Sequence, residues 1–149
     1  NKKGFKFGLA KELLPDHLSK KRYDWIWLLD EDVGFSDMDV KKLIETAEES
    51  GSIIVQPAIA APRPQFKKSH GTPLMLFQCQ PADRWCNLLN QHEDCRYRYT
   101  NYVEVMAPLL RQDALLKVLR DCQNCVHEKS TWGLDLVWCS WAGRQLGVQ

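Results

Sequence analysis

The sequence predicts an α/β domain, and three stretches carry that prediction. Residues 25–29 (Trp-Ile-Trp-Leu-Leu) are apolar at every position and end in an acidic triplet, residues 40–47 are apolar at helical spacing, and residues 53–55 form a second short apolar run. A short run apolar throughout reads as a strand covered on both faces, as in a parallel or mixed sheet under helices. Together the three stretches make a β-α-β unit over 25–56. The bulk numbers agree with one such domain over 1–149: the chain has 149 residues, 44% hydrophobic and 26% charged, enough for a single core. With 20 Lys and Arg against 19 Asp and Glu the net charge is +1, which gives no electrostatic basis for nucleic-acid or anionic-membrane binding. No apolar run approaches the ~18 residues of a membrane span. The opening NKKGFKFG lacks the apolar region of a signal peptide.

Taken in order, Phe7, Ala10, Leu13 and Leu14 predict a helix over 6–14 that Pro15 stops. The strand at 25–29 follows a basic stretch, Ser19-Lys20-Lys21-Arg22. The next helix is capped by Ser36 or Asp37, buries Val40, Leu43, Ile44 and Ala47, and ends at Gly51 in the C′ position. A strand at 53–55 closes at Pro57. A proline-rich loop follows, with a candidate strand at 74–77 and an irregular cysteine-bearing stretch at 79–101. Residues 102–106 read as a strand ending at Pro108. A helix over 113–121 points Leu115, Leu116 and Leu119 inward. The last helix, 134–141, points Val137, Trp138 and Trp141 inward and stops at Gly143.

Asp30 and Asp32 are the most informative residues. At i and i+2 of an extended segment two side chains point the same way, here just beyond a strand's carboxyl end, where α/β sheets bind ligands. Two close carboxylates repel unless a proton or cation lies between them. Mg²⁺ or Mn²⁺ suits such oxygen ligands and keeps positions open for phosphate oxygens. Two chemistries share the pattern: a nucleotide-sugar transferase with a metal on the diphosphate, and a haloacid-dehalogenase-type phosphatase with Asp30 as nucleophile. The phosphatase needs a Ser or Thr ending the next strand, a Lys and a late acidic pair, whereas that strand ends in Gln56-Pro57. A calcium loop is excluded because its twelfth position is Lys41. The bland alternative is that the acids end the strand and cap the next helix.

Glu104 lies in an apolar stretch beside its alternation partners Tyr102 and Met106. It faces either solvent or a cleft, where it would bind an acceptor hydroxyl. Asp135 follows Trp132-Gly133-Leu134, in the first turn of the last helix, where a negative charge is favoured; it reads as a helix-end charge or as a general base. Cys122-x-x-Cys125 with His127 is half a zinc spacing without a second half, which leaves a disulfide or core thiols as the main readings. Six cysteines in all suit an oxidising compartment or a set of buried thiols. Arg96-Tyr97-Arg98-Tyr99 interleaves bases and aromatics but has no wider basic patch, so no nucleic acid is expected. His70, after Lys67-Lys68-Ser69, is a surface histidine or a phosphate neighbour.

With these residues placed, the chain resembles a family of unknown function found in plants, algae and bacteria, often labelled lysine-ketoglutarate reductase trans-splicing related proteins. The carrying segments are Phe7-Gly8-Leu9-Ala10-Lys11, Leu14-Pro15-Asp16, Tyr23-Asp24-Trp25-Ile26-Trp27-Leu28-Leu29-Asp30-Glu31-Asp32-Val33-Gly34, Ile54-Val55-Gln56-Pro57-Ala58, Val103-Glu104-Val105-Met106-Ala107-Pro108 and Trp132-Gly133-Leu134-Asp135. That family is similar to glycosyltransferases of the GT-A fold. The resemblance implies a three-layer α/β/α sandwich with a mixed sheet, and transfer of a sugar from a nucleotide-sugar donor to a glycan or other hydroxyl acceptor. By the same analogy Asp30 and Asp32 hold Mn²⁺ or Mg²⁺ and the donor diphosphate, Asp135 is the catalytic base, and Glu104 positions the acceptor. Only 29 residues precede Asp30, where GT-A enzymes place nucleotide-binding strands, and the chain ends before a C-terminal metal-binding His. The expectation is therefore a fragment, incomplete at both ends, of a Golgi-lumen protein anchored in the membrane outside this chain. A non-catalytic carbohydrate-binding or scaffold module of the same fold is the alternative.

Overall fold

A computed structural model of the chain describes residues 3–35, 38–58, 96–127 and 130–148. They fall into two compact units, residues 1–57 with 99–149, and residues 58–98, of which only Ala58 and residues 96–98 are described. The candidate strand at 74–77, His70, the caps Ser36 and Asp37, and Cys79, Cys86 and Cys95 lie outside the described residues. Helix and strand together place the chain in the α/β class. All the described helices and strands belong to the first unit.

Helix α1 spans Lys6–Lys20 and continues through Pro15, where the sequence predicts a stop. A proline inside a helix removes one hydrogen bond and costs about 3 kcal/mol in isolation. Tertiary anchors hold the second half regardless. Leu18 is buried, its carbonyl accepts from Gln112 Nε2 at 2.9 Å, and the Pro15 carbonyl accepts from Arg120 Nη2 at 2.9 Å. Phe7 and Ala10 face the core and Leu14 packs at its edge, whereas Leu13 is exposed.

Strand β1 is Trp25–Trp27, strand β2 Ile54–Val55 and strand β3 Leu109–Arg111. Their order is β1-β3-β2, and β3 runs antiparallel to both neighbours in the register Ile26↔Leu110↔Ile54. The described sheet is thus antiparallel where a mixed sheet is predicted. β1 and β2 run parallel to each other, with β3 between them. Double burial falls on the central strand, whose Leu109 and Leu110 are both buried, while every residue of β1, at the edge of this three-stranded sheet, is half-buried. The predicted strand at 102–106 is instead irregular, with a turn at 105–106, and pairing begins after Pro108. Proline is tolerated where a strand begins, since it has no N–H for the ladder.

Between β1 and β2, helix α2 (Val40–Ser50) is capped by Asp39, whose side chain accepts from the Lys42 N–H at 3.0 Å. Its C-terminal Gly51 has φ 68°, the left-handed conformation predicted at C′. β3 leads directly into α3 (Gln112–Leu116), which widens into a π-helix over Lys117–Asp121. Leu115 and Leu119 are buried as predicted, with Val118, and Leu116 packs at the core's edge.

Helix α4 spans Leu134–Leu146, past the predicted stop at Gly143, and ends at Gly147, φ 67°. Gly143 serves the turn beyond: its carbonyl accepts the Gly147 and Val148 N–H groups, and a Cβ there would lie 2.8 Å from Val148 O. Trp138 is fully buried and meets Phe7 edge to face, ring centroids 5.5 Å apart. Val137, predicted inward, is exposed. Cys122 and Cys125 form a disulfide just after the π-helix, which sets aside the half zinc site. No described helix is long and apolar enough to cross a membrane.

Candidate functional site

The backbone leaves β1 by two further bonds to the segment that precedes β3. Leu28 N–H donates to Pro108 O and Asp30 N–H to Met106 O, both at 3.0 Å. The chain then turns: Val33 N–H donates to Asp30 O at 3.3 Å, with Glu31 and Asp32 at the turn's corner. This turn replaces the extended backbone on which the shared direction of Asp30 and Asp32 rests. Asp32 is exposed, and Asp30 is tied inward. Asp30 Oδ1 lies 2.7 Å from the Lys6 ammonium, which also donates to Val105 O at 2.5 Å and Met106 O at 2.9 Å. Lys6 thereby joins the first turn of α1 to the end of β1 and to the 105–106 turn.

Glu104 immediately precedes that turn. Its N–H donates to Gln56 Oε1, which fixes it against the end of β2. Its carboxylate accepts the Tyr102 hydroxyl at 2.7 Å through Oε2, and its Oε1 accepts the Val105 N–H at 3.0 Å. From the first turn of α4, the Asp135 charge also acts on this phenol. Burial, the hydrogen bond to Glu104, and then the negative charges of Glu104 and Asp135 push the Tyr102 pKa far above that of an ordinary tyrosine, so the phenol keeps its proton. One proton facing two carboxylates leaves acceptor capacity over for an incoming hydroxyl. One turn after Asp135 on α4, burial pushes the Cys139 thiol up to about 11, against a contact with the Val103 backbone that lowers it.

The fold therefore bonds Tyr102 to Glu104 within reach of the Asp135 charge, and ties Asp30 through Lys6 to the Val105 and Met106 carbonyls of the same 102–106 segment. Gly133, φ 85°, turns the chain into α4, and Trp132 just before it is 97% exposed. Three contributors escape sequence reasoning. Lys6 acts across 99 and 100 residues and carries no periodic signal. Gln56 is visible only as a strand's last residue, and Tyr102 only as an alternation partner of Glu104.

Among the described residues no group of three or more His, Cys, Asp or Glu is arranged to hold a metal. Asp30 Oδ2 and the Asp32 carboxylate still suit a hard cation that keeps waters and phosphate oxygens as its other ligands. A groove of about 780 Å³ opens at the other end of β1, lined by Lys20, Arg22, Tyr23, Trp25, Arg111 and Gln112 among others, and it contains none of the predicted site residues.

No curated protein and no solved structure matches the chain. A family model described as a protein of unknown function (DUF707) matches residues 2–148. The chain belongs to the DUF707 family.

Proposed function

We propose that this chain is a GT-A-like domain of a metal-dependent glycosyltransferase acting on a nucleotide-sugar donor and a glycan or other hydroxyl acceptor. The observation that carries the reading is the hydrogen bond from a protonated phenol, Tyr102, to Glu104, with the Asp135 charge acting on the same phenol and a fully exposed Trp132 three residues before Asp135. Carboxylates that hydrogen-bond hydroxyls, beside an aromatic face on which a sugar ring can stack, suit a saccharide acceptor.

In this mechanism Asp135 accepts the proton of the acceptor hydroxyl as that oxygen attacks the anomeric carbon. The bond from that carbon to the diphosphate oxygen breaks, and its electron pair leaves with the diphosphate. Asp30 and Asp32 would hold a divalent ion, which when bound would neutralise charge on the leaving group. Tyr102 donates to Glu104, which fixes that carboxylate for the acceptor. The Cys122–Cys125 disulfide supports an oxidising compartment, and we assign the Golgi lumen.

The test is calorimetry of the complete protein with Mn²⁺ and a nucleoside diphosphate. The double change Asp30→Ala with Asp32→Ala abolishes metal-dependent binding; unchanged affinity contradicts the assignment. The ion pair from Lys6 to Asp30 favours two other readings, a carbohydrate-binding module that has no use for a metal and the lysine-assisted phosphatase. Saccharide binding without donor turnover, or hydrolysis of a generic phosphomonoester, identifies each.

A further inference from the structure

The oxygen atoms around Lys6 form a small cage. Its ammonium lies 2.7 Å from Asp30 Oδ1, 2.5 Å from Val105 O and 2.9 Å from Met106 O, with Leu28 O at 3.5 Å. An ammonium has three N–H donors, and the three near oxygens account for all of them. One carboxylate and carbonyl oxygens are also the donor set that a hard cation takes. The Lys6 side chain is only 18% exposed, so the charge is held within the fold rather than loose in solvent. Asp30, whose side chain is 37% exposed, has no partner among the described residues for its second oxygen, Oδ2.

We propose that Lys6 is the resident counter-ion of Asp30, and that a divalent cation must compete with it there. This rests on the reading of Asp30 and Asp32 as a cation site. While the ammonium occupies Oδ1, an arriving metal has only Oδ2 and the exposed Asp32, and it meets a like charge a few ångströms away. A bare divalent ion therefore binds weakly. A nucleoside diphosphate carries negative charge to both cations, so metal and nucleotide enter together. Lys6 then remains beside the leaving diphosphate as a second positive charge. Because two of its carbonyl partners directly follow Glu104, Lys6 also sets where the acceptor side of the site stands relative to Asp30.

The test uses Mn²⁺ alone, titrated by electron paramagnetic resonance into the complete protein and its Lys6→Met variant, which keeps the stem and removes the charge. Lys6→Met binds Mn²⁺ at least tenfold tighter than the parent, and adding Asp30→Asn removes the gain. A folded Lys6→Met protein that binds Mn²⁺ no tighter overturns the inference and leaves the cation site standing. Absence of Mn²⁺ binding in both proteins, with nucleoside diphosphate present or not, overturns the cation site and the inference together. Should Lys6→Met fail to fold, lysine side-chain NMR of the parent gives the same decision, with the Lys6 signal assigned through Lys6→Arg. Saturating Mg²⁺ moves that signal if the two cations meet at Asp30, and an unmoved signal under saturation overturns the proposal.

Discussion

Tyr102 shows how one side chain organises the Glu104 end of the candidate site. Its raised pKa keeps it a donor at any physiological pH, so its part is to hold carboxylates and not to accept protons. Tyr102→Phe removes one hydrogen bond to a charged acceptor, a loss of about 1.5–3 kcal/mol, and leaves Glu104 with the Val105 N–H alone among the described residues. In the transferase reading this variant lowers turnover about tenfold with donor affinity unchanged, and steady-state kinetics at saturating donor checks it. Asp135→Asn is nearly isosteric and acts on proton transfer, so turnover falls by about 10²–10⁴-fold while donor binding persists. Full activity in Asp135→Asn reduces that residue to a helix-end charge. Tyr102 and Glu104 were partly legible, because alternation sets them on one face of an extended stretch. Lys6 was not, since its partners at 28, 30, 105 and 106 are remote in the chain, and nothing local distinguishes it from Lys2 or Lys3.

At the level of elements, what local chemistry specifies was readable and what tertiary contacts decide was not. The α2 helix and its Gly51 terminus stand as predicted because periodicity and a C-terminal glycine are local signals, but only Ala47 of the expected inward set is buried, Val40 is exposed, and the cap is Asp39. Pro15 failed as a stop because Arg120 and Gln112, each about a hundred residues away, hold the second half of α1. The strand expected at 102–106 lies beyond Pro108 because β3 needs neighbours on both sides, and these come from β1 and β2. Two glycines of α4 give a sharp test. Gly133 has φ 85° with open space around it, so Gly133→Ala costs about 1 kcal/mol through backbone strain alone. Gly143→Ala meets the Val148 backbone oxygen and should loosen the C-terminal turn. Thermal melts and amide exchange of residues 143–148 separate the two: the first variant lowers the melting temperature throughout, the second raises exchange at the end of α4 first.

For the whole molecule, linkage sets a pH window. Tyr102 and Cys139 hold their protons more tightly folded than unfolded, so their contribution is complete below the ordinary values and is lost as pH rises towards about 11 for Cys139. Asp113 runs the other way. The hydrogen bond from Arg111 holds its carboxyl below the usual range, so its contribution is present above that range and fades as pH falls through it. The melting temperature should therefore be flat through neutrality and decline above about pH 9 and below about pH 4. A melt series that rises steadily to pH 11 contradicts the assignment of Cys139 and Tyr102 as half-buried groups that keep their protons. The central claim is that the Asp30 end and the Tyr102 cluster serve one transfer reaction. The most direct measurement is nucleoside diphosphate release by the complete protein from a panel of nucleotide sugars, with Mn²⁺ and with chelator. The expected result is release with at least one donor that requires the metal and disappears in the Asp30→Ala, Asp32→Ala double variant. No metal-dependent release from any donor, in a folded protein that still binds a saccharide, contradicts it.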